Sequence, residues 1–254
     1  EITLVVSDMA YGLQPLFTFI DHSILFEQKK FRSSFWYRRS FIKNLTKKGF
    51  DIAIYPVYSS ESIGDTIMKA TKATTIYDFK NISIEEDLNE MDKNMAFVSK
   101  IVDKKCEAIF PTINTSILNN SGYKQLQEQY HLEVKKYVVF VPGSSATYKM
   151  WPLDKMADIA DYCVEKGFRV ILLGSKNEKE LGNKIFNFSQ HKKNVINLIG
   201  ETTLDTLIHL VNNAKFYFGN DTGTLHIAAS VATPAIAVMG GGHFKRFFPY
   251  GNLD

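Results

Sequence analysis

The sequence is poor in the features that mark a specialised environment. Only two of its 254 residues are cysteines, Cys106 and Cys163, far apart and without metal-ligand spacing. That excludes a disulfide framework and makes a reducing compartment the expected setting. No uninterrupted apolar run approaches the roughly 20 residues needed to span a bilayer. The GxxxxGK[ST] spacing of a Walker phosphate loop is missing, and so is any Asp-x-Asp pair, by which two carboxylates hold a cation. Repeats and low-complexity tracts are absent. The net charge of +3 is too weak to argue for nucleic acid. The ends also lack something. Glu1 runs straight into the apolar Ile2-Thr3-Leu4-Val5-Val6, and Pro249-Tyr250-Gly251-Asn252 reads as mid-loop. Both termini are therefore expected to lie inside a longer native chain.

What is present is an ordinary globular composition, 45% apolar and 22% charged, with a regular pattern in its second half. Tyr137 to Val141 is a β-branched and aromatic run ended by Pro142-Gly143, and it reads as a buried strand. Pro152 opens a helix in which Leu153, Met156, Ala160, Cys163 and Val164 share a face, and Gly167 stops it. Strands follow at Arg169 to Leu173, Val195 to Ile199, Phe216 to Phe218 and Ala235 to Met239. Helices fall at Glu178 to Phe188, around Leu204 to Val211, and after Asp221. Short connections and strict alternation predict a parallel sheet covered on both faces.

The first half repeats this style less cleanly. Strands are predicted at Ile2 to Val6, Asp51 to Tyr55 and Ile76 to Phe79, with a last one within Lys104 to Pro111. Helices are predicted at Ser33 to Lys48 and Met91 to Val102. The polar stretch Asn119 to Lys136 reads as the linker. The expected division is an incomplete α/β domain over residues 1–130 and a second α/β domain over 131–254, with a cleft between them.

Four loops at the strand ends of the second half carry candidate chemistry. Asn220-Asp221-Thr222-Gly223-Thr224-Leu225-His226 joins a strand to a helix, a junction that aims backbone N–H groups and a positive helix end outward. Asp221 is either a helix cap or a grip for sugar hydroxyls, with the N–H groups of Thr222 and Gly223 left for a phosphate. His226 lies one turn further, either packed or beside that anion site. Pro142-Gly143-Ser144-Ser145 with Lys149 is either a plain helix start or a set of donors and one charge suited to phosphate oxygens. In Gly174-Ser175-Lys176-Asn177-Glu178, Glu178 either faces the helix dipole or accepts from a ribose. Gly240-Gly241-Gly242 allows close backbone approach or forms a mobile loop.

Pro142-Gly143-Ser144-Ser145 with Lys149-Met150-Trp151-Pro152, Asn197-Leu198-Ile199-Gly200 with Thr203-Leu204, and Gly219-Asn220-Asp221-Thr222-Gly223 with His226-Ile227-Ala228-Ala229 and Pro234 resemble the C-terminal domain of the bacterial lipopolysaccharide heptosyltransferases. Those are family 9 glycosyltransferases of the GT-B fold, with two Rossmann-like domains. The resemblance covers about residues 136 to 250, and extends weakly over 1–110 through Gly49-Phe50-Asp51-Ile52-Ala53-Ile54. It implies inverting transfer of heptose from ADP-heptose to a lipopolysaccharide core acceptor. Ser144, Ser145 and Lys149 would hold the diphosphate and sugar, with Lys149 stabilising the leaving group. Glu178 would bind the ribose, and Asp221, Thr222, Gly223 and His226 the sugar and phosphates. No cofactor or metal is implied. Alternatives are a GT-B enzyme using another nucleotide-sugar, or a non-catalytic nucleotide-sugar-binding protein.

Two departures stand out. The family's Gly-Asp loop, whose Asp is proposed as the general base, has no match, and Asp8 is not assigned that role. Gly240-Gly241-Gly242 stands where the family often has Gly-Pro-Thr, which leaves the donor's sugar and base open.

One further segment bears on partners. Lys29 to Lys48 is rich in bases and aromatics. Phe31, Phe35, Ile42 and Leu45 recur near helical spacing and are expected to be core. Arg32, Arg38, Arg39 and Lys43 form either a solvated face or a surface toward a phosphorylated, membrane-borne acceptor. The expected setting is cytoplasmic, with peripheral contact at the inner face of the bacterial membrane. The expected partners are a nucleotide-sugar and a lipid-linked saccharide, not nucleic acid.

Overall fold

A computed structural model describes residues 1–8, 10–57, 62–85, 88–107, 109–144, 146–239 and 246–248. The chain divides into two compact units, Glu1–Ile109 with Lys245–Pro249, and Phe110–Phe244 with Tyr250–Asp254.

The first unit contains two parallel strand pairs. β1 (Thr3–Ser7) pairs with β2 (His22–Phe26) in the register Thr3 to His22. Two helices follow, α1 (Gln28–Ser33) and α2 (Phe35–Lys48). The extended Ser34 separates them, and its hydroxyl caps α2 by accepting from Tyr37 N at 3.2 Å. β3 (Ile52–Tyr55) pairs with β4 (Thr75–Asp78) across the crossover helix α3 (Ser62–Thr71). α4 (Glu90–Val102) comes last, capped by Asn89. Phe26, Phe31 and Phe41 pack edge-to-face with centroids 5.2–5.8 Å apart, over Leu45 and Ala70. The short strand β2 and helix α3 escape the sequence reading. The strand predicted within Lys104 to Pro111 does not form among its described residues. Lys104, Lys105 and Glu107 are exposed there and Ile109 is 82% exposed, so no neighbouring sheet buries the segment.

The second unit opens with α5 (Ser121–Tyr130). β5 (Tyr137–Val141), α6 (Leu153–Glu165), β6 (Arg169–Leu172), α7 (Lys179–Phe188) and β7 (Val195–Asn197) follow. Then come α8 (Leu204–Asn213), β8 (Tyr217–Asn220), α9 (Gly223–Ser230) and β9 (Ala235–Val238). The strands form one parallel sheet in the order β7-β6-β5-β8-β9. All five residues of central β5 are buried, as a strand covered on both faces requires. Against it α6 buries Met156, Ala157, Ala160 and Cys163, a stripe of helical period. Each large apolar side chain removed from water here contributes about 1.5–3 kcal/mol. Gly167, at φ +86°, ends α6 as its sequence position predicts.

The predicted boundary at 130/131 moves. α5 is not a linker but a helix laid on α8. Gly122 sits so close to Thr206 that a Cβ there would meet its hydroxyl at 2.4 Å. The Tyr123 ring stacks on His209 at 5.8 Å, Asn119 N donates to the Asp205 carboxylate, and Arg169 donates to the Tyr130 carbonyl. Polar composition suggested a linker because only one narrow stripe of α5 is buried, mainly Tyr123.

Candidate functional site

Strands β5 and β8 are neighbours, yet their onward connections leave in opposite directions, β5 to β6 on one side and β8 to β9 on the other. The crevice beyond the carboxyl ends of such a pair is where open α/β sheets bind ligands. The segment 142–152 and the turn 221–222 flank it.

Asn220 ties these two connections together. It is fully buried at the end of β8. Its Nδ2 donates to the Pro142 carbonyl at 2.7 Å and the Gly143 carbonyl at 3.3 Å, while its Oδ1 accepts from Trp151 N at 3.0 Å. One side chain thus satisfies three backbone groups that β5 and α6 leave unpaired. Below it the Tyr217 hydroxyl donates to the Asn220 carbonyl at 3.0 Å and lies 3.4 Å from the Thr222 hydroxyl. Burial raises the Tyr217 phenol above its ordinary range, so it stays a donor.

On this frame sit the residues singled out by sequence. Ser144 follows β5, and its hydroxyl oxygen is buried without a hydrogen-bond partner among the described residues. Lys149 ends a short 3-10 turn, half-buried, with no ion pair among the described residues. Glu178 caps its own turn and also reaches the loop after β5. Its Oε2 accepts from Ser175 N at 2.6 Å and Ser175 Oγ at 2.7 Å, the local cap. Its Oε1 lies over Gly143, where a Cβ would come within 1.6 Å of it. A side chain at 143 would displace the Glu178 carboxylate, which is carried to the loop after β5.

Asp221 does not cap α9. Thr222 occupies the N-cap position, no side chain caps the helix, and the Asp221 carboxylate accepts no hydrogen bond among the described residues. The turn is anchored by backbone instead, with Asp221 N donating to the Val238 carbonyl at 3.2 Å. Around Gly223 the space a Cβ would fill is open. His226 is half-buried one turn further; burial lowers its pKa, and the Asp221 charge partly opposes that. The structure thus brings Ser144, Lys149, Glu178, Asp221, Thr222, Gly223 and His226 to one edge of one sheet. Ser145 and Gly240-Gly241-Gly242 lie outside the described residues. Sequence reasoning assigned no role to Asn220 or Tyr217. Their signal was a fully polar amide closing a buried strand, a placement that needs partners.

Two solved structures resemble the whole chain: a glycosyltransferase family 9 protein from Veillonella parvula (TM-score 0.75, 18% identity, 100% of this chain and 82% of that one) and E. coli heptosyltransferase WaaC with ADP-2-deoxy-2-fluoro heptose (0.71, 17%, 98% and 80%). The fold is that of the GT-B glycosyltransferases. The sequence model of glycosyltransferase family 9 (heptosyltransferase) matches residues 38–254, and the chain belongs to that family. Lipopolysaccharide heptosyltransferase 2 of E. coli K12 is 32% identical over 116 residues, 44% of this chain and 33% of the relative. The lipopolysaccharide core heptosyltransferase OpsX of Haemophilus influenzae is 29% identical over 166 residues, 65% and 46%. The chain spans about a third of the length of the first of these relatives.

Proposed function

We propose that the second unit binds the diphosphate of a nucleotide-sugar, ADP-heptose by family, for metal-independent transfer of heptose to a lipopolysaccharide core acceptor with inversion. One observation carries this reading. At the sheet's switch point a buried serine hydroxyl, a lysine and a helix start, none of them paired or capped by a side chain among the described residues, occupy one frame pinned by Asn220. Groups arranged that way are donors awaiting an anion.

In this reading the N–H groups of Thr222 and Gly223 and the hydroxyls of Ser144 and Ser145 donate to the phosphate oxygens. Lys149 neutralises the charge that grows on the departing diphosphate, a role worth most where water is excluded. Asp221, repelled by phosphate, grips sugar hydroxyls, His226 closes the sugar side, and Glu178 takes ribose hydroxyls with Oε1. Support comes from relatives as well: WaaC is described with ADP and with an ADP-heptose analogue.

The test is a thermal-shift panel of ADP, UDP and GDP. ADP is expected to raise the melting temperature most, by the equivalent of about 2.7 kcal/mol at a hundredfold excess over Kd. Lys149→Ala is expected to weaken ADP about tenfold or more by removing a charge-assisted contact. A larger shift with UDP or GDP overturns the ADP assignment, and an undiminished ADP response in Lys149→Ala overturns the role of that lysine.

A further inference from the structure

Between Gln28 and Lys48 there is no Asp or Glu, while eight Lys and Arg fall in the same stretch. The whole chain has 30 cations against 27 acids, so with these eight set aside the remainder is net acidic. The positive charge of this protein is concentrated on α1 and α2. Among the described residues, Lys29, Arg38, Arg39, Lys43, Lys47 and Lys48 are exposed and make no ion pair. Lys30 is held by Glu27 at 2.7 Å.

The inward face of these helices is settled by Phe31, Phe41 and Leu45, all buried. The outward face is not simply polar. Phe35 and Trp36, an edge-to-face pair 5.5 Å apart, are 62% and 77% exposed at the first turn of α2. Phe35 had been expected in the core. The pair follows directly on Ser34, the extended residue that separates α1 from α2 and caps α2. From Trp36 the helical repeat leads along one side to Arg39, Lys43 and Lys47. A shallow trough between Phe35 and Ile42 is edged by Arg38, Arg39 and Lys43. Exposed apolar rings of this size carry a cost in water that burial in a partner recovers.

We infer that α2, led by Phe35 and Trp36, is the surface by which this protein docks on an anionic lipid bilayer. The charge complementarity is to a sheet of phosphates, because the cations run along the helix rather than converging on one point. The aromatic pair at its start matches the interfacial zone, where an amphipathic indole sits with its ring in the acyl boundary. Duplex nucleic acid would use the same charges but gives the exposed rings no apolar layer to enter. The inference deepens the acceptor half of the reading above, since a lipid-linked saccharide would be met at that surface.

The experiment is flotation of the intact chain with vesicles of phosphatidylglycerol and phosphatidylcholine, against phosphatidylcholine alone, at low and high salt. Binding is expected only to the anionic vesicles and to fade with salt. The variant R38Q/R39Q/K43Q should bind about a hundredfold more weakly, near fivefold per cation. The parent's tryptophan emission should shift to the blue on binding, and Phe35→Ser with Trp36→Ser should bind the anionic vesicles about tenfold more weakly or worse. Both variants change exposed side chains, and an unchanged melting temperature certifies their fold. Equal binding to neutral vesicles, a triple variant that binds like the parent, or tighter binding to duplex DNA than to vesicles of matched phosphate each overturns the assignment. The ADP-induced thermal shift, measured alongside, separates the two ideas. Vesicle binding without an ADP response supports the docking surface while the donor reading fails; an ADP response without vesicle binding sinks the surface alone.

Discussion

His226 sits where two influences on its imidazole oppose each other. Burial disfavours the charged ring, and the carboxylate of Asp221 favours it; burial wins, and the pKa falls below its ordinary 6.5. A histidine whose folded pKa is depressed stabilises the fold above its unfolded pKa, and that contribution is lost as the pH drops through the folded value. The melting temperature of the parent should therefore decline below about pH 6.5 more steeply than that of His226→Gln. Parallel pH profiles for the two proteins would contradict the burial argument. Cys163 is a plainer case of the same physics. Burial pushes its thiol up to about 11, so it is a packing residue in the α6 face rather than a nucleophile.

At the scale of elements, the central joint of the second unit is made by a side chain, not by the sheet ladder. The parallel pairing of β5 with β8 ends at Val141 and Gly219. Beyond it, Asn220 takes over and holds the loop after β5 and the entry to α6. Asn220→Ala would strand the part-buried Trp151 N–H and the buried Pro142 carbonyl without their partner. The expected loss is about 3 kcal/mol of unfolding free energy, from one to three per orphaned group. Asn220→Asp should cost more, because it sets a buried carboxylate against two carbonyl oxygens. Chemical denaturation of the three proteins gives the order directly. If alanine proves neutral, the tie is dispensable and the shape of the site rests on the sheet alone.

At the scale of the whole molecule, the consequential finding is where the second unit begins. α5 covers α8 through Tyr123 and receives the close approach of Thr206 at Gly122. A fragment of residues 110–254 is expected to melt cooperatively. One of residues 131–254 should be less stable by about 3 kcal/mol, from lost burial at Tyr123 and its neighbours. Equal stability of the two fragments would return the boundary to 130/131. No helix among the described residues is long and apolar enough to cross a membrane.

Much was legible along the chain because its signals are short-ranged. The alternation of β-branched runs with helical stripes, the glycine that stops α6, and the loops from Gly143 to His226 are written within windows of a few residues. They determined an α/β chain, its resemblance to family 9 and the candidate loops along one sheet edge. Other facts depend on residues far apart in sequence, and only the folded chain decided them. The strand order set which loops meet. The bond from Asn220 to Pro142 spans 78 positions. Contacts between α5 and α8 turned a polar linker into a helix of the second unit. Phe35 obeyed the helical spacing of a core residue and still faces water. Periodicity specifies which residues share a face, whereas packing against distant neighbours specifies which face is buried.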